Sequence, residues 1–154
     1  RLIVTLGLIE YYSIQSKGDI IAANIPPSLN SSSFNDFSFN LETTSTTVSN
    51  IKHIIKSARR LNNNIEVILT VSPVPLDATF RDMDIIIANN FSKSVLISAV
   101  HELMVNEANN NCHYFPSYEI VINSEKQKAW REDLRHVQPE MVEFILKKFA
   151  GSDK

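Results

Sequence analysis

The sequence predicts an α/β domain built on a parallel sheet. Three observations carry this. Short apolar runs at residues 2–6, 65–71 and 112–115 each stop at glycine or proline. Helical periodicity fills the stretches between and after them. Alternation of such runs with helices is the pattern of parallel strands joined by crossovers.

Residues 2–6, Leu-Ile-Val-Thr-Leu, form a continuous apolar run that ends at Gly7. An apolar, β-branched run of this length fits a strand buried on both faces. The chain enters it directly from Arg1, with no long apolar leader or small-residue cleavage site. That predicts a strand already in progress, in a fragment truncated on its N-terminal side. Residues 11–44 are rich in Ser and Asn, carry Pro26-Pro27, and show aromatic alternation only at Phe34, Phe37 and Phe39. They read as an irregular insertion holding at most a short hairpin.

Helical spacing begins at Val48 and continues through Ile51, Ile55 and Ala58, widened by Ile54 and Leu61. Thr44 or Ser45 is the expected N-cap. Lys52, Lys56, Arg59 and Arg60 cover the wet side and suit the C-terminal end of the dipole. Residues 65–71 form the second strand, cut off by Ser72-Pro73-Val74-Pro75, since proline donates nothing to a ladder. A long helix follows over residues 86–106, with Val95, Leu96, Ala99, Val100, Leu103 and Met104 inward. After Asn109-Asn110-Asn111, residues 112–115 form a short third strand, and Pro116-Ser117-Tyr118-Glu119 turns out of it. Residues 123–132 are polar. The last helix starts near Pro139, a residue suited to a first turn, and points Met141, Val142, Ile145, Leu146 and Phe149 inward. Doubly wound sheets hold about five or six strands. Three are legible here, which again predicts missing upstream sheet.

Composition is ordinary for a soluble globular domain: 154 residues, 44% hydrophobic and 21% charged. A net charge of −2 gives no reason to expect nucleic acid as a partner. No apolar run approaches the roughly 18 residues that span a bilayer. The single cysteine, Cys112, excludes an internal disulfide and leaves the compartment open. Oligomeric state and localisation are likewise not written in the residues.

The segment richest in chemistry is Asp133-Leu134-Arg135-His136. One tight turn brings this carboxylate to this imidazole. The acid then fixes the tautomer through one ring nitrogen and leaves the other free as a base. The plain alternative is a turn-capping Asp beside a surface His. Open α/β sheets bind ligands beyond the carboxyl ends of their strands. Gly7 to Glu10, Ser72 to Pro75, Phe115 to Glu119 and the Asp133 turn are expected to gather there. Glu10 is either a carboxylate at the substrate edge or a charge on a first helical turn. Ser72 lacks the glycines and following helix of a nucleophile elbow and fits a pocket hydroxyl better. Tyr118 and Glu119 either line a polar pocket with Tyr114, or Tyr118 simply packs with its hydroxyl satisfied. His53 and His101 read as surface residues. His113 and its neighbour Cys112 point to opposite faces of a strand, so no metal site is expected. No cofactor is called for.

Five blocks resemble a known family. They are Thr5-Leu6-Gly7-Leu8-Ile9-Glu10; Leu69-Thr70-Val71-Ser72-Pro73-Val74-Pro75-Leu76 with Ala78-Thr79; Asn90 with Ser92-Lys93-Ser94-Val95-Leu96; Tyr114-Phe115-Pro116-Ser117-Tyr118-Glu119-Ile120; and Asp133-Leu134-Arg135-His136-Val137. Together they look like the C-terminal part of a GSCFA-domain protein, a family similar to the SGNH/GDSL hydrolases. The resemblance implies a three-layer α/β/α sandwich with a parallel sheet, flavodoxin-like in layout. It implies a serine nucleophile in a Gly-Ser-Cys-Phe-Ala segment, which these residues do not contain. It carries the hydrolases' Asp-x-x-His motif onto Asp133 and His136, and their Gly-x-Asn block onto Gly7-Leu8-Ile9. The asparagine of that block is an oxyanion donor, and isoleucine has no side-chain donor to replace it. Glu10, a backbone amide or an upstream residue is left to compensate. The function so implied is esterase or acyltransferase action on an acyl ester of a carbohydrate or another polar molecule. The rival is a non-catalytic module binding a glycan or a protein at the same edge.

Overall fold

The structure is a computed structural model that describes residues 1–14, 20–22, 37–106 and 111–151. The first half runs β1 (Leu2–Leu6), β2 (Glu10–Ile14), β3 (Ile20–Ala22), β4 (Phe37–Leu41), α1 (Thr44–Leu61) and β5 (Val67–Val71). The second half runs α2 (Ile85–Asn106), β6 (Cys112–Tyr114), α3 (Ser117–Ile122), α4 (Lys126–Ala129) and α5 (Pro139–Gly151).

Strands β1, β5 and β6 form a parallel sheet in that order, with Val4 beside Leu69 and Leu69 beside Tyr114. Helices α1 and α2 cover one face. Val48, Ile51 and Ile55 of α1 and Leu96, Ala99, Val100 and Leu103 of α2 pack there with Val4, Leu6, Val67, Leu69 and Val71. Side chains alternate along a strand, so Ile3, Thr5, Ile68 and Thr70 look the other way. They face Ile145, Leu146 and Phe149 of α5 across a crevice of about 280 Å³. The molecule is therefore a three-layer α/β/α sandwich. Every residue of central β5 is buried, whereas β1, equally apolar in sequence, alternates between half-buried and exposed because it lies at the sheet edge.

Several elements differ from expectation. Residues 11–44 do not form a purely irregular excursion. β3, β2 and β4 make a second, antiparallel sheet that begins at Glu10, with Tyr12 opposite Phe39 and Glu10 opposite Leu41. Tyr11, Tyr12, Phe37 and Phe39 are strong strand formers, but the pairing spans a long polar interval, which hides it from a local reading. Pro26, Pro27 and Phe34 lie outside the described residues.

Helix α1 is capped by Thr43 rather than by Thr44 or Ser45. The Thr43 hydroxyl accepts the Thr46 N–H at 3.2 Å and the Thr46 hydroxyl accepts the Thr43 N–H at 2.8 Å. Threonine here does what Glu does in the usual capping box. The Pro116 to Glu119 turn is in fact the start of α3. The polar stretch 123–132 holds the single turn α4, after which Trp130 bridges Val137. On α5, Met141 and Ile145 pack with Val121 and Ala129 as expected, but Val142 is exposed and Leu146 is 60% exposed. α5 rests mainly on α3 and α4, so its side over the sheet is only partly covered. Ile54 and Leu61 also face outward on α1.

The packing makes a simple prediction. Leu69 is fully buried at the centre of the main core. Leu69→Ala is expected to lower the unfolding free energy by roughly 2–5 kcal/mol in urea titration. Ile3→Ala, at the exposed edge, is expected to cost clearly less.

Candidate functional site

All three parallel strands end at the same edge, so the segments that follow Leu6, Val71 and Tyr114 leave the sheet together. What holds them there comes from α2. Ser92 and Lys93 sit on the apolar stripe that includes Leu96, Ala99, Val100 and Leu103, and both are fully buried. The Ser92 Oγ accepts the Ile9 N–H at 3.1 Å. The Lys93 ammonium donates to the carbonyls of Gly7 (2.9 Å), Ser72 (2.8 Å) and Val74 (2.8 Å). An ammonium has three N–H bonds, and each has an acceptor. Burial pushes the Lys93 amine down from its usual value to about 8. It is still protonated at neutral pH.

Four more bonds complete the edge. The Leu76 N–H donates to Asn89 Oδ1 at 3.1 Å. Ser117 Oγ donates to the Val71 carbonyl at 2.9 Å and lies 2.5 Å from Thr70 Oγ1. Ser72 Oγ accepts the Val74 N–H at 3.2 Å, a bond within its own turn. Among the described residues no histidine or carboxylate hydrogen-bonds to the Ser72 hydroxyl.

Asp133 and His136 meet. Asp133 Oδ2 is 2.5 Å from His136 Nδ1, and Asp133 Oδ1 accepts the backbone N–H of Arg135 and of His136 at 3.0 Å each. The chain reverses through Leu134, whose φ of 53° is unusual for a branched residue. Arg131 and His136 close the turn with a backbone bond of 2.8 Å. The hydrogen bond from the His136 ring, then those from the His136 and Arg135 amides, hold the Asp133 carboxyl well below the usual carboxylate range. The acid is ionised and acts only as acceptor, so Nδ1 carries the proton toward it. Nε2 has no partner among the described residues. Both side chains are about half exposed, His136 at 58% and Asp133 at 48%. Arg135 pairs with Asp77 at 2.6 Å and so ties this turn to the segment that follows β5.

The other candidate carboxylates are occupied. Glu10 opens β2 rather than a helix. It pairs with Arg81 at 2.8 Å and accepts the Thr79 hydroxyl at 2.9 Å, with both members of the ion pair nearly buried. Glu119 accepts the Tyr114 hydroxyl at 2.8 Å on each oxygen. Burial, then this bond and the Glu119 charge, push the Tyr114 phenol up. Tyr118 packs against the main core, and burial raises its phenol as well. His53 and His101 are exposed, and Cys112 is buried while His113 faces outward. Among the described residues no group of three metal-binding side chains occurs, and no helix is long and apolar enough to cross a membrane.

Ser92, Lys93 and Arg135 stand in the motif blocks without a site role of their own, and Asp77 and Arg81 stand outside them; the structure brings all five to the edge. One signal existed. A serine and a lysine on the apolar stripe of a long helix demand polar partners inside.

The depressed carboxyl has a sign. A carboxylate whose folded value lies below its unfolded value stabilises the fold above the unfolded value and loses that effect as pH falls through the folded one. NMR titration of the Asp133 side-chain carbon is expected to give a midpoint below that of ordinary aspartates. In His136→Ala, where the leading hydrogen bond is gone, the midpoint is expected to rise. An unchanged midpoint counts against the pairing.

Comparison with curated proteins found no match, and comparison with solved structures found none. The model of the GSCFA family matches residues 1–149. A match over nearly the whole length, with the sheet edge and the Asp-x-x-His turn inside it, places this chain in the GSCFA family.

Proposed function

We propose that this domain is the acid–base part of a serine-dependent ester hydrolase or acyltransferase acting on acyl esters of a carbohydrate or another polar molecule. In this reading the nucleophilic serine comes from residues outside the 154. The observation that carries the reading is the Asp133–His136 contact of 2.5 Å, with an ionised acid on Nδ1 and an unengaged Nε2.

The chemistry follows from that arrangement. The serine oxygen attacks the ester carbonyl carbon while its proton passes to His136 Nε2. The carbonyl electron pair moves onto oxygen, giving a tetrahedral oxyanion. Asp133 stabilises the imidazolium and holds its orientation. When the oxyanion collapses, the bond to the alcohol breaks, and the departing oxygen takes the proton back from Nε2. The acyl-serine left behind is then opened by water or by a second alcohol, through the same nitrogen. General base action of this kind contributes roughly 10²–10⁴-fold.

One observation favours a second reading, a non-catalytic module that binds a glycan or a protein at this edge. Ile9 is only 4% exposed and packs in the main core. Its side chain offers nothing to an oxyanion.

The test is turnover of p-nitrophenyl acetate by the full-length protein. His136→Ala is expected to lower kcat by about 10²-fold or more, with Asp133→Asn in the same direction. A fluorophosphonate probe is expected to label the wild-type protein. An unchanged rate in His136→Ala removes the catalytic role, and absence of labelling favours the binding module.

A further inference from the structure

The bonds to Lys93 do more than close the edge. Its side chain is 1% exposed and has no carboxylate partner among the described residues, so a whole positive charge is held in the interior by three peptide carbonyls. An ammonium bonded to a carbonyl draws electron density through that peptide unit and makes the N–H on its other side a stronger donor. The three units differ in this respect. The nitrogen after the Ser72 carbonyl belongs to Pro73, and the nitrogen after the Val74 carbonyl belongs to Pro75, so neither carries a hydrogen. Only the Gly7 carbonyl is followed by an N–H, that of Leu8.

The direction of that N–H follows from the peptide bond. No cis peptide occurs among the described residues. In a trans peptide the N–H is anti to the C=O. The Gly7 carbonyl points to the buried ammonium, so the Leu8 N–H points away from it. It has no acceptor among the described residues, whereas the next amide, Ile9, is taken by Ser92. Beside it the structure is open. A Cβ built on Gly7 would meet nothing within 4 Å. Neither crowding nor a left-handed φ calls for glycine at this position, while a glycine lets a bound molecule approach the backbone closely.

The geometry points to the Leu8 N–H as the donor that receives the oxyanion of the ester reaction, with Lys93 as the positioning residue that aims and polarises it through the Gly7 carbonyl. This assignment rests on the hydrolase reading above and supplies the donor that Ile9 lacks. The N–H contributes because negative charge on the former carbonyl oxygen exists only after the serine has attacked. Its bond therefore strengthens in the transition state, next to a fixed positive charge that needs no reorganisation.

The experiment uses the full-length protein and p-nitrophenyl acetate, with His136→Ala run in parallel. Incorporating α-hydroxyisocaproic acid at position 8 replaces the Leu8 N–H by an ester oxygen, makes the Gly7 carbonyl a weaker acceptor for Lys93, and changes no side chain. It is expected to lower kcat by about 10²-fold with little change in KM. Lys93→Met is expected to shift kcat in the same direction. It is also expected to move the Leu8 amide proton upfield in the spectrum of the substrate-free protein, a readout that needs no catalysis. If Lys93→Met does not fold, the backbone ester decides alone. A backbone ester with wild-type kcat, in a protein that His136→Ala inactivates, overturns the oxyanion assignment and leaves the hydrolase reading standing. A Leu8 amide signal that does not move in Lys93→Met overturns the role of the lysine. Turnover untouched by His136→Ala removes both.

Discussion

A single ammonium, sealed beneath the place where two parallel strands end, governs how this domain presents its edge. Taking a lysine out of water costs several kcal/mol unless its hydrogens are satisfied. Lys93 meets that demand with three carbonyls from two segments that share no sequence neighbourhood. The consequence is geometric. Gly7, Ser72 and Val74 are held around one nitrogen, and the backbone between the two prolines is pinned without a ladder, where prolines permit none. The edge thus gains a defined shape from a charge, in a region where regular secondary structure has stopped.

The acids of the domain separate by environment. Glu10 and Asp133 are both carboxylates beside a cationic or ionisable partner. Glu10 is sunk between Arg81 and Thr79, with the Arg81 guanidinium also donating to the Ala88 carbonyl at 2.7 Å. That network fastens β2, and with it the second sheet, to the segment before α2. Nearby, Tyr12 meets Phe80 edge-on with ring centres 5.3 Å apart. Asp133 is set on an open turn with its charge spent on a histidine and two amides, all from the next three residues. One acid builds the frame. The other leaves His136 Nε2 without a partner among the described residues.

The links between these regions are of unequal strength. The bonds around Ser117 are buried and those around Lys93 part-buried, and they satisfy polar groups inside the domain. The Arg135–Asp77 pair lies at the surface, with Asp77 mostly exposed, and surface pairs contribute little and weaken with salt. The Asp133 turn is therefore held mainly by its own bonds and by the Trp130–Val137 bridge. The edge below it is held by the core. Helix α5, which follows directly, leaves an apolar crevice against Ile3 and Ile68, so the second face of the sheet is the less tightly covered one.

Local rules made part of this molecule legible from residues alone. Apolar runs stopped by Gly7 and Pro73, and the periodicity of α1 and α2, carried the strands, the long helices and the parallel α/β class, because burial period and chain-breaking residues act within a few positions; the three layers were implied only by the family resemblance. Asp133 and His136 are three apart, and the turn that joins them is made by those residues, so spacing sufficed to pair them. The antiparallel sheet escaped, because Tyr12 and Phe39 are neighbours only across a long polar interval. The cap of α1 lies at Thr43, ahead of the expected Thr44 or Ser45, because Thr46 can take the role usually given to Glu and so complete a capping box there. The grip of Lys93 on Gly7 spans 86 residues, and that of Ser117 on Val71 spans 46. Such partners are selected by where the elements come to rest, because a hydrogen bond across that distance has no local geometry to predict it. The sequence by itself determined which groups exist and which meet within a turn; the packing of helix α2 on the sheet decided which distant backbone atoms those groups hold.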